Sequence, residues 1–506
     1  MRRCSAAGLV LALAGSACGS QHAGSAPAVV TPGAAAGVAR ASAPAGALAA
    51  LPEPGPAPAW APPAPIASPL KGGARVLYRQ HGHVPLVSLL LVVPRGAETD
   101  PIGQEGLTSL MADLLDEGAG QLDALALSEQ LQALATELEI SANTDGVVLS
   151  MQLIAENFAR SVDVLADLVR RPRLEEKEFQ RLQAQRISQA IGAEADLQYA
   201  RRNALYRGLF GKGYAGGWSQ GTPDSLKAIR LSDVKAHYQR LMVAEGSTFI
   251  VTGGIDRETA TRELERAFGD WAGKPGTAAR PLEPSPATGK LFLADYAGAA
   301  QSAIGVVRRV AGADADDLFA SAVFNRSFGE AFMSRVNLNL REDKGYTYGS
   351  VSVFQRLRQT GLFGIFSDVR ADVTRASLDE ILRELAELCS IRPLSTEERD
   401  ESVQGLLLGY PATFENAEAI AESFTQIPLQ NRPLDWFERW PSRVAAVTHE
   451  QATRAAQRYC SRSDFDILVA GDAAQVRPSL DGLGFDVVAV NARGEPLPSV
   501  PGGRQR

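Results

Sequence analysis

The 506-residue chain is poor in the side chains that build most metal and redox centres, with four cysteines and five histidines. No CxxC pair occurs, which excludes a cysteine-built zinc finger and argues against a disulfide framework. The histidines are His22, His81, His83, His237 and His449, and only His81 and His83 are neighbours, in the loop-like RQHGHVP. An HxH pair can chelate a metal, but two exposed turn residues are the plainer reading. No block of lysine or arginine stands out and the net charge is −7, so no nucleic-acid partner is expected. A P-loop and a cysteine with a nearby histidine partner are both missing, which removes the P-loop NTPase and cysteine-hydrolase machineries. The longest apolar stretch near the N-terminus, Ala6 to Ala14, is too short to span a bilayer.

What is present is ordinary for a folded protein: 45% hydrophobic and 22% charged residues over a length that implies at least two domains. MRRCSAAGLVLALAGSACGS has two arginines, an apolar run and then small residues, the three parts of a secretory signal (residues 1–18). Cys18 follows Gly15-Ser16-Ala17 and resembles a bacterial lipoprotein cleavage site, although the usual leucine three residues earlier is replaced by Gly15. Export with a lipid on Cys18, anchoring the chain to a membrane, and plain export to the periplasm are both open. Residues 19–71 are dominated by Ala, Pro and Gly and are expected to form a disordered tether. Cys389 and Cys460 could pair in an oxidising compartment, but they are read as two separate thiols buried in helices.

The remainder divides at WAGKPGTAARPLEPSPATGK into bodies over 72–272 and 290–490, with a linker over 273–289 and a tail over 491–506. Each body opens with two apolar strand patterns, RVLYRQ and VPLVSLLLVVP in the first, KLFLADY and QSAIGVVRRV in the second. Each closes with a helix-then-strand pair, VKAHYQRLM before STFIVTGG and ATRAAQRYC before DFDILVAG. The near-constant spacing of these pairs indicates one fold present twice. In the first body, Leu107, Leu110, Met111, Leu114 and Leu115 recur at helical spacing, and further helices are expected over Leu127–Leu138, Phe158–Val169 and Leu174–Ile191. VVLSMQLI alternates as a strand. The expected class is α+β, each body a mainly antiparallel sheet with helices on one face.

The duplication, together with GLTSLMADLLDEGAG early and FGEAFMSRVNLNLREDKGYTYGS late, resembles the pitrilysin/insulinase family of zinc metallopeptidases, which includes the mitochondrial processing peptidase. The late motif carries most of the likeness: Phe328-Gly329, Ser334-Arg335, Leu340-Arg341-Glu342, then Gly345 and Tyr348. KGYAGGWSQGTPDSL (Lys212–Leu226) is similar to the family's substrate-side loop. Active members place HxxEH on the first helix. Two histidines at i and i+4 share one metal, the glutamate between them works on the metal-bound water, and a distant glutamate completes the ligand set. Here those four positions are Ser109, Ala112, Asp113 and Gln189. Asp113 alone cannot hold zinc, and Asp113, Asp116 and Glu117 are read as the solvated face and end of a helix rather than a carboxylate metal site.

The resemblance implies that Arg341 and Tyr348 reach towards a peptide carbonyl bound at a zinc centre. The alternative is that Arg341 pairs with a neighbouring acid while the tyrosines pack. With no cofactor expected in this chain, zinc would belong to a partner, a homologous HxxEH-bearing subunit, and peptides would be the substrate. The expected function is therefore a non-catalytic, substrate-binding subunit of a zinc endopeptidase. A structural or peptide-binding scaffold of the same fold is the competing reading, and an enzyme with an unfamiliar metal site a third.

Overall fold

In the computed structural model, residues 55 and 59–498 are described apart from 215–218, 277 and 285–287. The leader, Cys18 and most of the tether lie outside the described residues.

The strands of the first half are β1 (Ile66–Pro69), β2 (Arg75–Gln80), β3 (Leu86–Val93), a two-residue hairpin of β4 (Gly118–Ala119) and β5 (Leu122–Asp123), β6 (Glu137–Ala142), β7 (Val147–Ile154) and β8 (Thr248–Gly253). Those of the second are β9 (Lys290–Asp295), β10 (Gln301–Ala311), β11 (Thr347–Arg356), β12 (Thr360–Arg370), β13 (Asp466–Gly471) and β14 (Asp486–Val490). The first sheet runs β1-β2-β8-β3-β7-β6, the second β14-β9-β13-β10-β12-β11. Five strands follow the same order in both, with β2–β8 and β9–β13 the equivalent parallel pairs. The duplication read from the sequence is thus a duplication of topology. Only the sixth strand differs: β1 enters from the N-terminal side, antiparallel, and β14 from the C-terminal side, parallel.

Three expectations need correction. The tether does not run to residue 71, because Ile66–Pro69 pairs with β2 and Trp60 sits against Tyr410 and Phe414. A proline-bearing segment is tolerated there because it forms the edge of the sheet. The tail is likewise built in from Asn491 onward: the Asn203 amide donates to the Ala492 carbonyl, and Arg493 pairs with Glu194 and Asp224. Finally, the helix expected over Leu127–Leu138 ends at Ala133, since Ala135 has φ +47°, and the alternating ELEISA becomes β6.

The helices of the first half begin with α1 (Leu107–Leu115), α2 (Ala124–Ala133), α3 (Phe158–Arg170), α4 (Glu176–Ala193) and α5 (Leu197–Phe210); Pro223–Ala228 and Leu231–Leu241 follow before β8, and Arg257–Phe268 after it. Helices α1 and α3 bury their apolar faces on one side of the first sheet, against Val87, Leu89, Leu91 and Val93 of β3. Their neighbours Leu90 and Val92 point the other way, into a separate core made with Tyr410, Phe414, Ile420, Phe424 and Phe437 of the second half. This explains why β3 is apolar at almost every position: both its faces are covered. The second sheet is treated reciprocally. Ile304 and Val306 face that half's own helices, whereas Ala303 and Val307 face Ala204, Leu205, Leu209 and Phe210 of α5. Each half therefore lends helices to the other's sheet, and both fall within one compact unit.

Polar contacts fix this exchange. Arg201 of α5, 4% exposed, donates to the Ile304 carbonyl and pairs with Asp368 on β12. Arg358, in the β11–β12 turn, donates to the Pro94, Asp145 and Leu429 carbonyls, and its backbone N–H donates to the Asp145 carboxylate. Asp145 lies in the β6–β7 turn, so the corresponding hairpins of the two halves meet at one guanidinium. Tyr214 donates to the same carboxylate, and Glu98 stands 3.8 Å from Arg358. Burial pushes the Glu98 carboxyl up to about 8, against the opposing pull of Arg358.

Cys389 and Cys460 are joined in a disulfide, contrary to the reading of two separate thiols. Nothing local in the sequence announces the pair, which is 71 residues apart. The loop it closes contains the helices Ala417–Phe424 and Trp436–Ala445 that cross to the first sheet.

Two outcomes are expected. Removing the cross-link, by reductant or Cys389→Ser, frees the unfolded chain and should lower the unfolding free energy by about 4 kcal/mol for a loop of this length; an unchanged urea midpoint would contradict this. Glu98 holds a proton in the folded state that the unfolded chain loses above its ordinary value of 4.5. Its contribution is therefore complete at low pH and is lost as pH rises towards about 8. Urea midpoints measured from pH 5 to 8 should decline less steeply in Glu98→Gln than in the unaltered chain.

Candidate functional site

Helix α1 starts at Gly106, whose φ of +96° and approach to Gly221 leave no room for a side chain. Its first N–H groups are satisfied by Asp100, whose carboxylate accepts from Gly106 N and Thr108 N at 2.9 Å. Burial raises Asp100 to about 7. The Thr108 hydroxyl lies 2.9 Å from His237 Nε2, and burial drives that imidazole down to about 4. The N-terminus of α1 is thus held by an internal polar cluster rather than by solvent.

One face of α1 presents Ser109, Ala112 and Asp113. Ser109 is buried and donates to the Ser219 carbonyl at 2.6 Å, and Ala112 is buried in the core. Asp113 receives both arms of Arg186 from α4, at 2.5 and 2.7 Å. Arg186 also donates to the Gln220 side chain. A second arginine of α4, Arg181, pairs with Glu117 at the end of α1 at 2.5 Å. Asp113 and Glu117 are therefore helix-to-helix clamps, which corrects their reading as a solvated face. Gln189, one turn beyond Arg186 on α4, is exposed.

These residues do not fit a zinc ion. The single carboxylate among them is engaged by a guanidinium, and serine, alanine and glutamine supply neither an imidazole nor a second anion. Among the described residues no group of three His, Cys, Asp or Glu side chains stands close enough to hold a metal. His81 lies 3.3 Å from the Glu415 carbonyl and His83 is exposed.

The late motif separates into supporting and displayed side chains. Leu340 is fully buried, and Arg335 forms a two-armed pair with Glu398 while donating to the Arg392 and Pro393 carbonyls. Tyr346 packs on the second core. Arg341 projects from a widened helical turn, Leu338–Asp343, with its guanidinium 4.5 Å from the Phe332 ring and 3.4 Å from Glu342. Tyr348 lies where the β11–β12 register shifts between Thr347 and Ser350, a bulge that turns its ring outward and leaves it 92% exposed. The bulge is tied down by the Thr347 hydroxyl, which donates to the Asp368 carbonyl, and by the Asn337 side chain, which accepts from Ser350 N and donates to the Phe332 carbonyl. Phe332 and Met333 beside it are also exposed. Among the described residues, no hydrogen bond, ion pair or ring contact joins Arg341 or Tyr348 to α1 or α4.

The family profile described as Insulinase (Peptidase family M16) matches residues 75–214, and that described as Peptidase M16 inactive domain matches residues 228–406. The chain is a degenerate member of the M16, or pitrilysin, peptidase family. Its M16 relatives include the non-peptidase homolog YmxG of Helicobacter pylori, 21% identical over 193 residues. That match takes in 38% of this chain and 45% of the relative, so the chain spans less than half of that protein. A probable mitochondrial-processing peptidase subunit beta of Arabidopsis thaliana is 20% identical over 421 residues, 79% of this chain and 77% of that one. Among solved structures, a peptidase M16 inactive domain from Pseudomonas fluorescens superposes with a TM-score of 0.75 at 20% identity, covering 81% of this chain and 98% of the other. This last likeness shows the M16 fold.

Sequence reasoning named Ser109, Ala112, Asp113 and Gln189 but missed Arg186, whose signal was a cation on α4 one turn before Gln189. Arg186→Met leaves Asp113 half-buried and unpaired and should cost about 2 kcal/mol of stability. The double change Asp113→Leu with Arg186→Met should recover most of that loss in urea denaturation. Equal losses in both variants would show that the pair is not what joins the helices.

Proposed function

We propose that this chain is the substrate-binding, non-catalytic subunit of a two-chain M16 endopeptidase whose zinc-bearing HxxEH helix lies in a homologous partner. The observation that carries the reading is the display of Tyr348: an almost fully exposed tyrosine, fixed by a bulge and set in the same motif as Arg341. A tyrosine serving only to pack would be buried, as Tyr346 is in part. Burial of Asp113 under Arg186 supports the other half of the proposal, a helix retained without its chemistry. The relative from Arabidopsis thaliana is by name one subunit of a peptidase, which favours the same division of labour.

In the assembled enzyme the Arg341 guanidinium and the Tyr348 hydroxyl donate to the carbonyl oxygen of the scissile bond. A guanidinium stays charged at any working pH, and the stacking on Phe332 limits its motion. Both donors gain strength as that oxygen gains negative charge, so they act on the transition state more than on the bound peptide. The partner supplies zinc and the attacking water. Peptides are the substrate. Export to an oxidising compartment, with or without a lipid on Cys18, belongs to the same proposal and is supported by the Cys389–Cys460 disulfide.

The test is a reconstitution with an HxxEH-bearing homologue. The mixture should hydrolyse peptides faster than either chain alone, and this chain by itself should carry no stoichiometric zinc. Arg341→Ala should lower kcat of the mixture about a hundredfold without loosening the complex. A mixture no faster than the homologue alone refutes the proposal and leaves a scaffold of the M16 fold.

A further inference from the structure

A cavity of about 670 Å³ opens between the end of β10, the start of β12 and the C-terminal end of the helix His449–Gln457. It shares Asp316, Asp317 and Arg458 with a neighbouring cavity of about 320 Å³, so the two form one elongated cleft. Arg309 and Arg458 line the first part, Arg443 and Arg454 the second.

Each guanidinium offers five N–H donors, and few of these are used. Arg309 reaches the Thr360 hydroxyl at 3.0 Å and the Glu283 carbonyl at 2.7 Å, and the Glu283 charge acts on it from nearby without a direct ion pair. The Arg458 side chain reaches Asp317 at 3.3 Å, and that acid is already shared with Arg356 and the Tyr459 hydroxyl. Among the described residues Arg454 pairs only with Glu450, one turn back on its own exposed helix face. Arg443 is exposed and has no hydrogen bond or ion pair with any described residue. Arg454 and Arg458 also complement the C-terminal dipole of their helix, but Arg309 on a strand has no such role. The cleft thus carries guanidinium donors beyond those that the described contacts use.

We propose that this cleft binds an extended acidic stretch of polypeptide. Arg454 and Arg458 are four residues apart on one helix face, about 6 Å between side-chain bases. Alternate residues of an extended chain repeat at nearly the same distance, about 6.7 Å, so carboxylates at every second position can meet both. Asp316, which lines both parts of the cleft and has no ion-pair partner among the described residues, accepts backbone N–H groups of such a chain. The same acid, and the concave form of the cleft, disfavour a flat anionic membrane. Thr360 at the cleft and Val369, which pairs with Thr347 beside Tyr348, stand at opposite ends of β12, about 30 Å apart at strand rise. The cleft is therefore a second site, remote from Arg341. If the subunit role proposed above also holds, on which this one point rests, substrates would carry their acidic stretch some nine or more extended residues from the scissile bond, at about 3.3 Å each.

The test needs no partner and no metal. Fluorescein-labelled hexaglutamate is titrated into the full chain at low ionic strength, with hexaserine and hexalysine as controls and phosphatidylglycerol vesicles as the membrane arm. Saturable binding of hexaglutamate alone is expected, at least tenfold weaker in the double variant Arg443→Glu with Arg454→Glu. Both positions are exposed, and an unchanged circular-dichroism melt confirms that the variant is folded. Equal binding by the variant, equal binding of hexaserine, or binding of vesicles without hexaglutamate each overturns the proposal. Hexaglutamate binding that survives while reconstituted proteolysis fails would uphold the cleft and reject only the subunit role.

Discussion

Neither sheet can be kept dry by its own half, and this constraint governs the rest of the molecule. β3 and β10 are apolar on both faces, so each needs a second layer, and the chain provides it by exchange. Helix α5 leaves the first half to cover the second sheet, and the segment around Tyr410–Phe437 makes the return journey. Apolar burial supplies the drive and is indifferent to direction. The buried arginines supply the register: Arg201 and Arg358 find their partners only when strand, turn and helix are correctly placed. The disulfide then closes the loop from which the returning helices come.

Within this frame helix α1 has a mechanical part to play. It has to be held against α4. Here the Arg186 guanidinium does the mechanical part of that task through Asp113. What a guanidinium cannot do is offer a vacant coordination position or acidify a water molecule. The result is a helix pair joined through a charged side-chain contact. The contrast with the late motif is sharp, because there the side chains left outside, Arg341 and Tyr348, are the ones with donor chemistry.

Much of this was legible from periodicity. Helix α1 coincides with its predicted span because five apolar residues recur there at helical spacing. The repeat of strand patterns foretold two sheets of one topology. What escaped detection depends on contacts distant in sequence. ELEISA follows directly on a helical pattern, and only the positive φ at Ala135 separates the two. β1 and β14 carry weak patterns and become strands because a sheet edge is waiting for them. Arg186 reads as one more charge on a charged helix until α1 is known to lie beside it. The outward turn of Tyr348 comes from a register shift that no local spacing records.

The helix exchange has a genetic consequence. A duplicated gene ordinarily leaves two modules that can later be cut apart, shuffled or lost one at a time. Once each copy wears the other's coat, that freedom ends: a stop codon in the linker would yield a sheet with one greasy side facing water, not a smaller working protein. The two copies are bound to a common fate, and chemistry can decay in one only as long as its fabric is kept for the sake of the other.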